Sequence, residues 1–393
     1  MARSRRPFGL RAVSPPPRSA RPREVGILAC FALRAIRSPS RVLRMREAWR
    51  TFVAKACLAA SGVCAKKAHS MKMIGLAIFA ATSCAALCAA AESSAQTSEQ
   101  SARVAKPSPP KQPANGPGGA AYPHRGIRET EHGEGSQQYW IIEPAQPVPK
   151  RAPLVIFLHG WSAMTPDTYR GWVNHLAKRG NIVVYPRYQA KLLTPATEYF
   201  PSVAASVRDA LDVLAKPGHV TPDLDRVALV GHSAGGVQTA NYAVLSASEK
   251  LPAPKAAMIV EPAQGKDGGF KIIPMEDCGK FPAALKLIVM VGDADGLAGE
   301  GCARTIWRDT KHVSERAFVT LRSDAHGLPP LKADHLSPIS WSRATTDALD
   351  WLGCWRTFDA LMDAALSGTP LAVDANMGAW SDDVAVTQMK VER

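Results

Sequence analysis

The chain has 393 residues, a formal net charge of +14 and 8 cysteines, enough length for two ordinary domains or one large α/β domain with tails. Its charge would suit a nucleic-acid binder, but the distribution excludes one. Residues 1–70 carry 16 Lys or Arg against 2 acids, while the remainder carries 32 of each, which leaves no basic surface for phosphate.

Residues 1–70 are rich in Arg, Pro and Ser without hydrophobic periodicity, as expected of an over-called or disordered basic extension. "SRRPFGL" (Ser4 to Leu10) resembles a twin-arginine export motif but lacks the apolar run that should follow. The match is read as chance, and a separate export signal of the Sec type is read in "MKMIGLAIFAATSCAALCAAAESSAQ" from Met71. Lys72 supplies a positive start, Met73 to Leu87 is uncharged and apolar, and Ala89 and Ala91 form an A-x-A cleavage pattern ahead of Glu92. At roughly 15 residues the run is shorter than the ~20 a membrane span needs. The expectation is a signal peptide over residues 71–91, translation starting at Met71 or Met73, and a secreted or periplasmic protein with no stable membrane span after cleavage. Residues 92–120, rich in Ser, Pro, Gln, Ala and Gly, read as a disordered linker. The folded domain is expected over residues 121–370, with a C-terminal tail at 371–393.

Within that domain Gln137 to Ile142 is the first strand candidate. "PLVIFLHG" (Pro153 to Gly160) is a continuous apolar run of the kind buried on both faces of a parallel sheet. A helix over Thr168 to Gly180, a strand at Asn181 to Pro186 and a helix over Ser202 to Gly218 follow. The strand "RVALVG" then leads through Ser233 into a helix of small residues. Lys255 to Pro262, Leu285 to Asp295 and Arg316 to Gly327 supply three more strands, and Ser340 to Trp355 a late helix. Strands alternating with helices imply a mostly parallel central sheet with helices on both faces. Of the cysteines after the cleavage point, Cys278 and Cys302 lie in loop-like sequence flanking one strand and form the expected pair, with Cys354 left over. No C-x-x-C or His/Cys cluster suggests zinc, and neither cofactor nor metal is implied.

"VGHSAGG" (Val230 to Gly236) places Ser233 in G-x-S-x-G between an apolar strand and a helix. A sharp strand-to-helix turn there needs residues without bulk on either side of the serine. This resembles the nucleophile elbow of the α/β-hydrolase superfamily, and the resemblance covers about Pro153 to Trp355. It implies a single α/β-hydrolase domain in which Ser233 is the nucleophile and a later histidine the base. "SDAHG" makes His326 the first choice, because it follows its strand directly; His335 in "ADHLSP" is the alternative. In "VGDADG" the superfamily's G-x-x-D form selects Asp295 as the acid. Glu261 in "IVEPAQG" is its rival, at a place where chlorophyllase-like hydrolases carry a D-P-V-D-G acid. Asp293 and Asp324 read as loop caps, and His159 and His232 as structural.

The amides of Ala234 and Trp161 are expected to form the oxyanion hole. "LHGW" resembles the corresponding loop of cutinases and polyester hydrolases, and Tyr188 and Tyr169 read as packing residues. The resemblance as a whole points to an exported serine esterase of the cutinase, chlorophyllase and platelet-activating-factor acetylhydrolase branch. It would act on small-molecule, lipid or polymer esters and not on nucleic acid. An amidase, thioesterase or acyltransferase on the same fold, or a non-catalytic binding protein, are the alternatives.

Overall fold

A computed structural model describes residues 106–265, 272–341 and 346–393. The expected basic extension, the signal peptide and residues 92–105 of the expected linker lie outside those residues. Ala102–Arg393 forms one compact unit. No helix among the described residues is long and apolar enough to cross a membrane.

Among the described residues nine strands form one sheet: β1 (Gly126–His132), β2 (Tyr139–Ala145), β3 (Arg151–Leu158), β4 (Ile182–Pro186), β5 (Thr221–His232), β6 (Ala256–Val260), β7 (Lys286–Gly292), β8 (Arg316–Leu321) and β9 (Lys390–Glu392). Their order is β1-β2-β4-β3-β5-β6-β7-β8-β9. From β4 to β8 every pairing is parallel, and antiparallel β1 and β2 close one edge and β9 the other. The helices are α1 (Arg170–Lys178), α2 (Tyr199–Leu214), α3 (Ala234–Leu245), α4 (Gly301–Asp309) and α5 (Arg356–Ser367).

The continuous apolar runs become central strands because both faces are covered. Along β3, Leu154, Ile156 and Leu158 point into a core shared with α2, α3 and α4. Val155 and Phe157 point into the opposite core, shared with α1 and α5. This two-residue alternation lets one uninterrupted hydrophobic segment fill two cores.

Three expectations change. The late helix begins at the π-helical turn Leu349–Trp355 and runs on as α5 to Ser367, so it starts later than the expected Ser340 and continues well past Trp355. Gly353 is pressed against Leu321, which seats this turn on the sheet. Residues 371–393, read as a tail, contribute β9, while Gly118 from the expected linker donates its amide to Asp359 Oδ2 at 2.7 Å. Cys278 and Cys302 are free thiols facing the same core. Burial pushes them up to about 12 and about 11, respectively.

Candidate active site

β5 ends at His232, and the chain turns into α3 through Ser233. Ser233 has φ 59° and ψ −122°, a conformation a side chain seldom adopts and one that persists only where the surroundings enforce it. They do so here. The amide of Ser233 donates to Val260 on β6, and its carbonyl accepts from Gly236, Val237 and Ala263. A Cβ on Gly231 would stand 2.2 Å from the Gly235 carbonyl oxygen, and one on Gly235 would stand 2.0 Å from that of Leu158. Both glycines of G-x-S-x-G are therefore steric requirements of the turn.

Ser233 Oγ donates to His335 Nε2 at 2.8 Å, and His335 Nδ1 donates to Asp295 Oδ2, also at 2.8 Å. All three residues are buried. The tautomer follows from Asp295, which can only accept once ionised. Burial pushes the Asp295 carboxyl up, but the hydrogen bonds from His335, Ala298 and Leu297 outweigh it and hold the group below the usual carboxylate range. An ionised acid, an oriented imidazole and a serine hydroxyl thus form one hydrogen-bonded line.

The histidine in that line is His335. His326, the expected base, is exposed at a loop tip and pairs with Asp382 at 2.8 Å. The reason is where β8 stops. It ends at Leu321, before His326, and residues 322–335 form a loop tied back on itself by a bridge between Asp324 and Leu331. The side chain of Asp324 also accepts from Thr387, and Pro107 accepts the amide of Leu328 at 2.8 Å. The tip carrying His326 is held outward, and the returning limb delivers His335 to the carboxyl edge of the sheet. Asp293 serves as a loop cap, accepting from Ser323.

The loop after β3 runs beside Ser233, since a Cβ on Gly160 would stand 3.3 Å from Ser233 Cβ. Trp161 is partly exposed, and its ring N–H donates to the Leu192 carbonyl. Ala234 opens α3, whose first amides have no partner within the helix. Tyr188 is fully buried, stacked on His159 and bonded to the His159 carbonyl.

Glu261 stands at the end of β6, fully buried, with its Oε2 3.2 Å from His232 Nε2 and 3.7 Å from His335 Nδ1. Burial, and then the charge of Asp295, raise its carboxyl well above the usual range. Burial likewise lowers His232 to about 3, so that ring is neutral. Tyr169, read as a packing residue, bonds His232 Nδ1 at 2.7 Å. The donor atoms of His232, Glu261 and His335 lie within 4.8 Å of one another. All four ring nitrogens are nevertheless committed to Tyr169, Glu261, Asp295 and Ser233. In this arrangement a hydrogen bond and a 3.7 Å approach join the three side chains.

A search of curated proteins gives no match to this chain. Residues 129–291 match the family model for chlorophyllase, a stretch running from β1 to the end of β7 and including Ser233 and Glu261. Over that stretch the chain is similar to the chlorophyllase family, and the parallel sheet and strained serine turn are those of the α/β-hydrolase fold.

Proposed function

We propose that the protein is an exported serine carboxylic ester hydrolase, with Ser233, His335 and Asp295 as its catalytic residues. The observation that carries this reading is the unbroken hydrogen-bonded line from Ser233 through His335 to Asp295. Ser233 Oγ attacks the ester carbonyl carbon while His335 Nε2 takes its proton. Asp295 holds the imidazole in the tautomer that can accept it and stabilises the imidazolium that forms. The amides of Ala234 and Trp161 are proposed to hold the oxyanion, aided by the amino end of α3. His335 then returns the proton to the leaving alcohol. A water, deprotonated in turn by His335, hydrolyses the acyl-enzyme and frees Ser233. Export rests on the sequence of residues 71–91 alone.

The test is turnover of p-nitrophenyl esters from acetate upward by wild type and Ser233→Ala, with matched thioesters and amides beside them. A chlorophyll ester belongs in the panel because of the matched family's name. Turnover of esters ahead of amides and thioesters, abolished in Ser233→Ala, is the expected result. A folded wild type that turns over no ester and leaves a fluorophosphonate probe unbound at Ser233 would overturn the reading.

A further inference from the structure

A second buried hydrogen-bonded line stands behind the first and takes no part in the reaction just described. The Gly160 amide donates to Tyr169 Oη at 3.0 Å, and Tyr169 Oη lies 2.7 Å from His232 Nδ1. With the tyrosine proton directed at Nδ1, the neutral ring carries its own proton on Nε2. That Nε2 donates to Glu261 Oε2 at 3.2 Å. The line therefore begins in the loop beside Ser233 and ends 3.7 Å from His335 Nδ1, the nitrogen that Asp295 holds at 2.8 Å.

Glu261 is placed there against its backbone preferences. Its φ is +46°, and a residue preceding a proline, here Pro262, is ordinarily driven to extended conformations. Strain of this kind persists where surrounding contacts over-determine it: the Glu261 amide donates to Met290 at 2.7 Å, and its side chain is fixed by His232. Gly292 leaves the carboxyl its room, because a Cβ there would stand 2.7 Å from Glu261 Oε1.

Two carboxylates thus face one imidazole nitrogen, and neighbouring like charges of this kind do not both stay ionised. Asp295 and Asp334 face Glu261 as acids from the loops after β7 and β8, and His232 and His335 face it as bases. Tyr169 and Cys354 are within reach of its charge. In the resting site Asp295 is the ionised member and Glu261 the neutral one.

We propose that Glu261 is a standby positioning acid for His335, held within reach of Nδ1 by the Tyr169–His232 pair and able to take over when the Asp295 carboxylate is lost. The proposal rests on the serine hydrolase reading above. Removing Asp295 removes its charge from beside Glu261, whose proton then leaves to solvent, and a small rotation lets Oε2 accept the Nδ1 proton.

The experiment measures ester turnover across pH for wild type, Asp295→Ala, Glu261→Gln, the double variant, and Asp295→Ala combined with Glu261→Asp. Losing all acid support for such an imidazole costs ~10⁴-fold. Asp295→Ala is expected to lose only ~10²-fold, and its acidic limb to move up by about one pH unit or more, because a buried carboxyl must now ionise. Adding Glu261→Gln should remove a further ~10²-fold, whereas Glu261→Gln alone should cost a few-fold and leave the wild-type pH profile. The Glu261→Asp combination, whose carboxylate is too short to reach Nδ1, should match the double variant and decides the matter where the latter does not fold. Equal turnover in Asp295→Ala and either combination, with no displacement of the limb, would overturn the proposal and leave the serine mechanism standing. A wild type without turnover or Ser233 labelling would overturn both.

Discussion

His335 Nε2 stands 2.8 Å from Ser233 Oγ across 102 residues of chain, while His326, nine positions earlier, faces Asp382 at the surface. The two histidines share a loop and differ in which limb of it they occupy. His335→Ala is expected to reduce ester turnover by ~10⁴-fold or more. His326→Ala should stay within a few-fold of wild type, since it gives up only an exposed pair worth roughly 0–1 kcal/mol. Steady-state kinetics on one p-nitrophenyl ester separates them; equal losses would remove His335 from its proposed role.

The serine turn makes a stability prediction. Gly235→Ala drives a methyl to 2.0 Å from the Leu158 backbone oxygen, where no flexible side chain can give way. The expected cost is about 3 kcal/mol, read as a fall in Tm of about 5–10 °C by scanning calorimetry. Gly301→Ala, at the start of α4 with nothing within 4 Å of the added carbon, should be neutral or stabilise by a few tenths of a kcal/mol.

How much of this was legible differs by element. Strand β3 and the turn at Ser233 could be read because they are local: an apolar run buried on both faces, then glycines that a tight turn demands. Asp295, picked by the superfamily's G-x-x-D form in the loop after β7, meets His335 at 2.8 Å. His335 did not, because its position depends on Asp324 meeting Leu331 and Thr387, the latter 63 residues away. A histidine directly after a strand is a local signal, and the long-range ties of this loop overrode it. The polar edge strand β1 and the late three-residue strand β9 carried little apolar periodicity of their own, and α4 buries only Ala303 and Ile306 over nine residues. Tyr169 looked like packing since nothing in its own segment shows that its hydroxyl meets His232.

The neutral state of His232 sets a pH signature in stability. Its native value is about 3 because burial opposes the charge, against ~6.5 unfolded. Below ~6.5 the unfolded chain takes up this proton and the native protein does not, so the contribution of His232 is full above that pH and shrinks as pH falls. Relative to wild type, His232→Gln should therefore lose stability at pH 7 and recover about 1.4 kcal/mol of that loss per pH unit below ~6. Urea denaturation at pH 7, 6 and 5 measures the difference. A gap that widens on acidification would mean that His232 is charged and paired with Glu261.

Chelation gives a fourth prediction. With all four ring nitrogens of His232 and His335 in hydrogen bonds, exhaustive dialysis against EDTA should leave kcat and KM for an ester unchanged. Loss of turnover restored by one added divalent metal would contradict the hydrogen-bonded reading of this cluster.

The ties that deliver His335 come from both ends of the domain: Pro107 receives the Leu328 amide, Thr387 grips Asp324, and Ser108 accepts the Ser381 amide. Ser233 and Asp295 lie well inside the domain, but the loop carrying His335 is held from both of its flanks. Removing residues 107–108 or 381–387 would slacken that loop while leaving the serine turn, whose own ties run to Val260, Gly236 and Ala263, in place. The two halves of the proposed machinery thus rest on separate foundations.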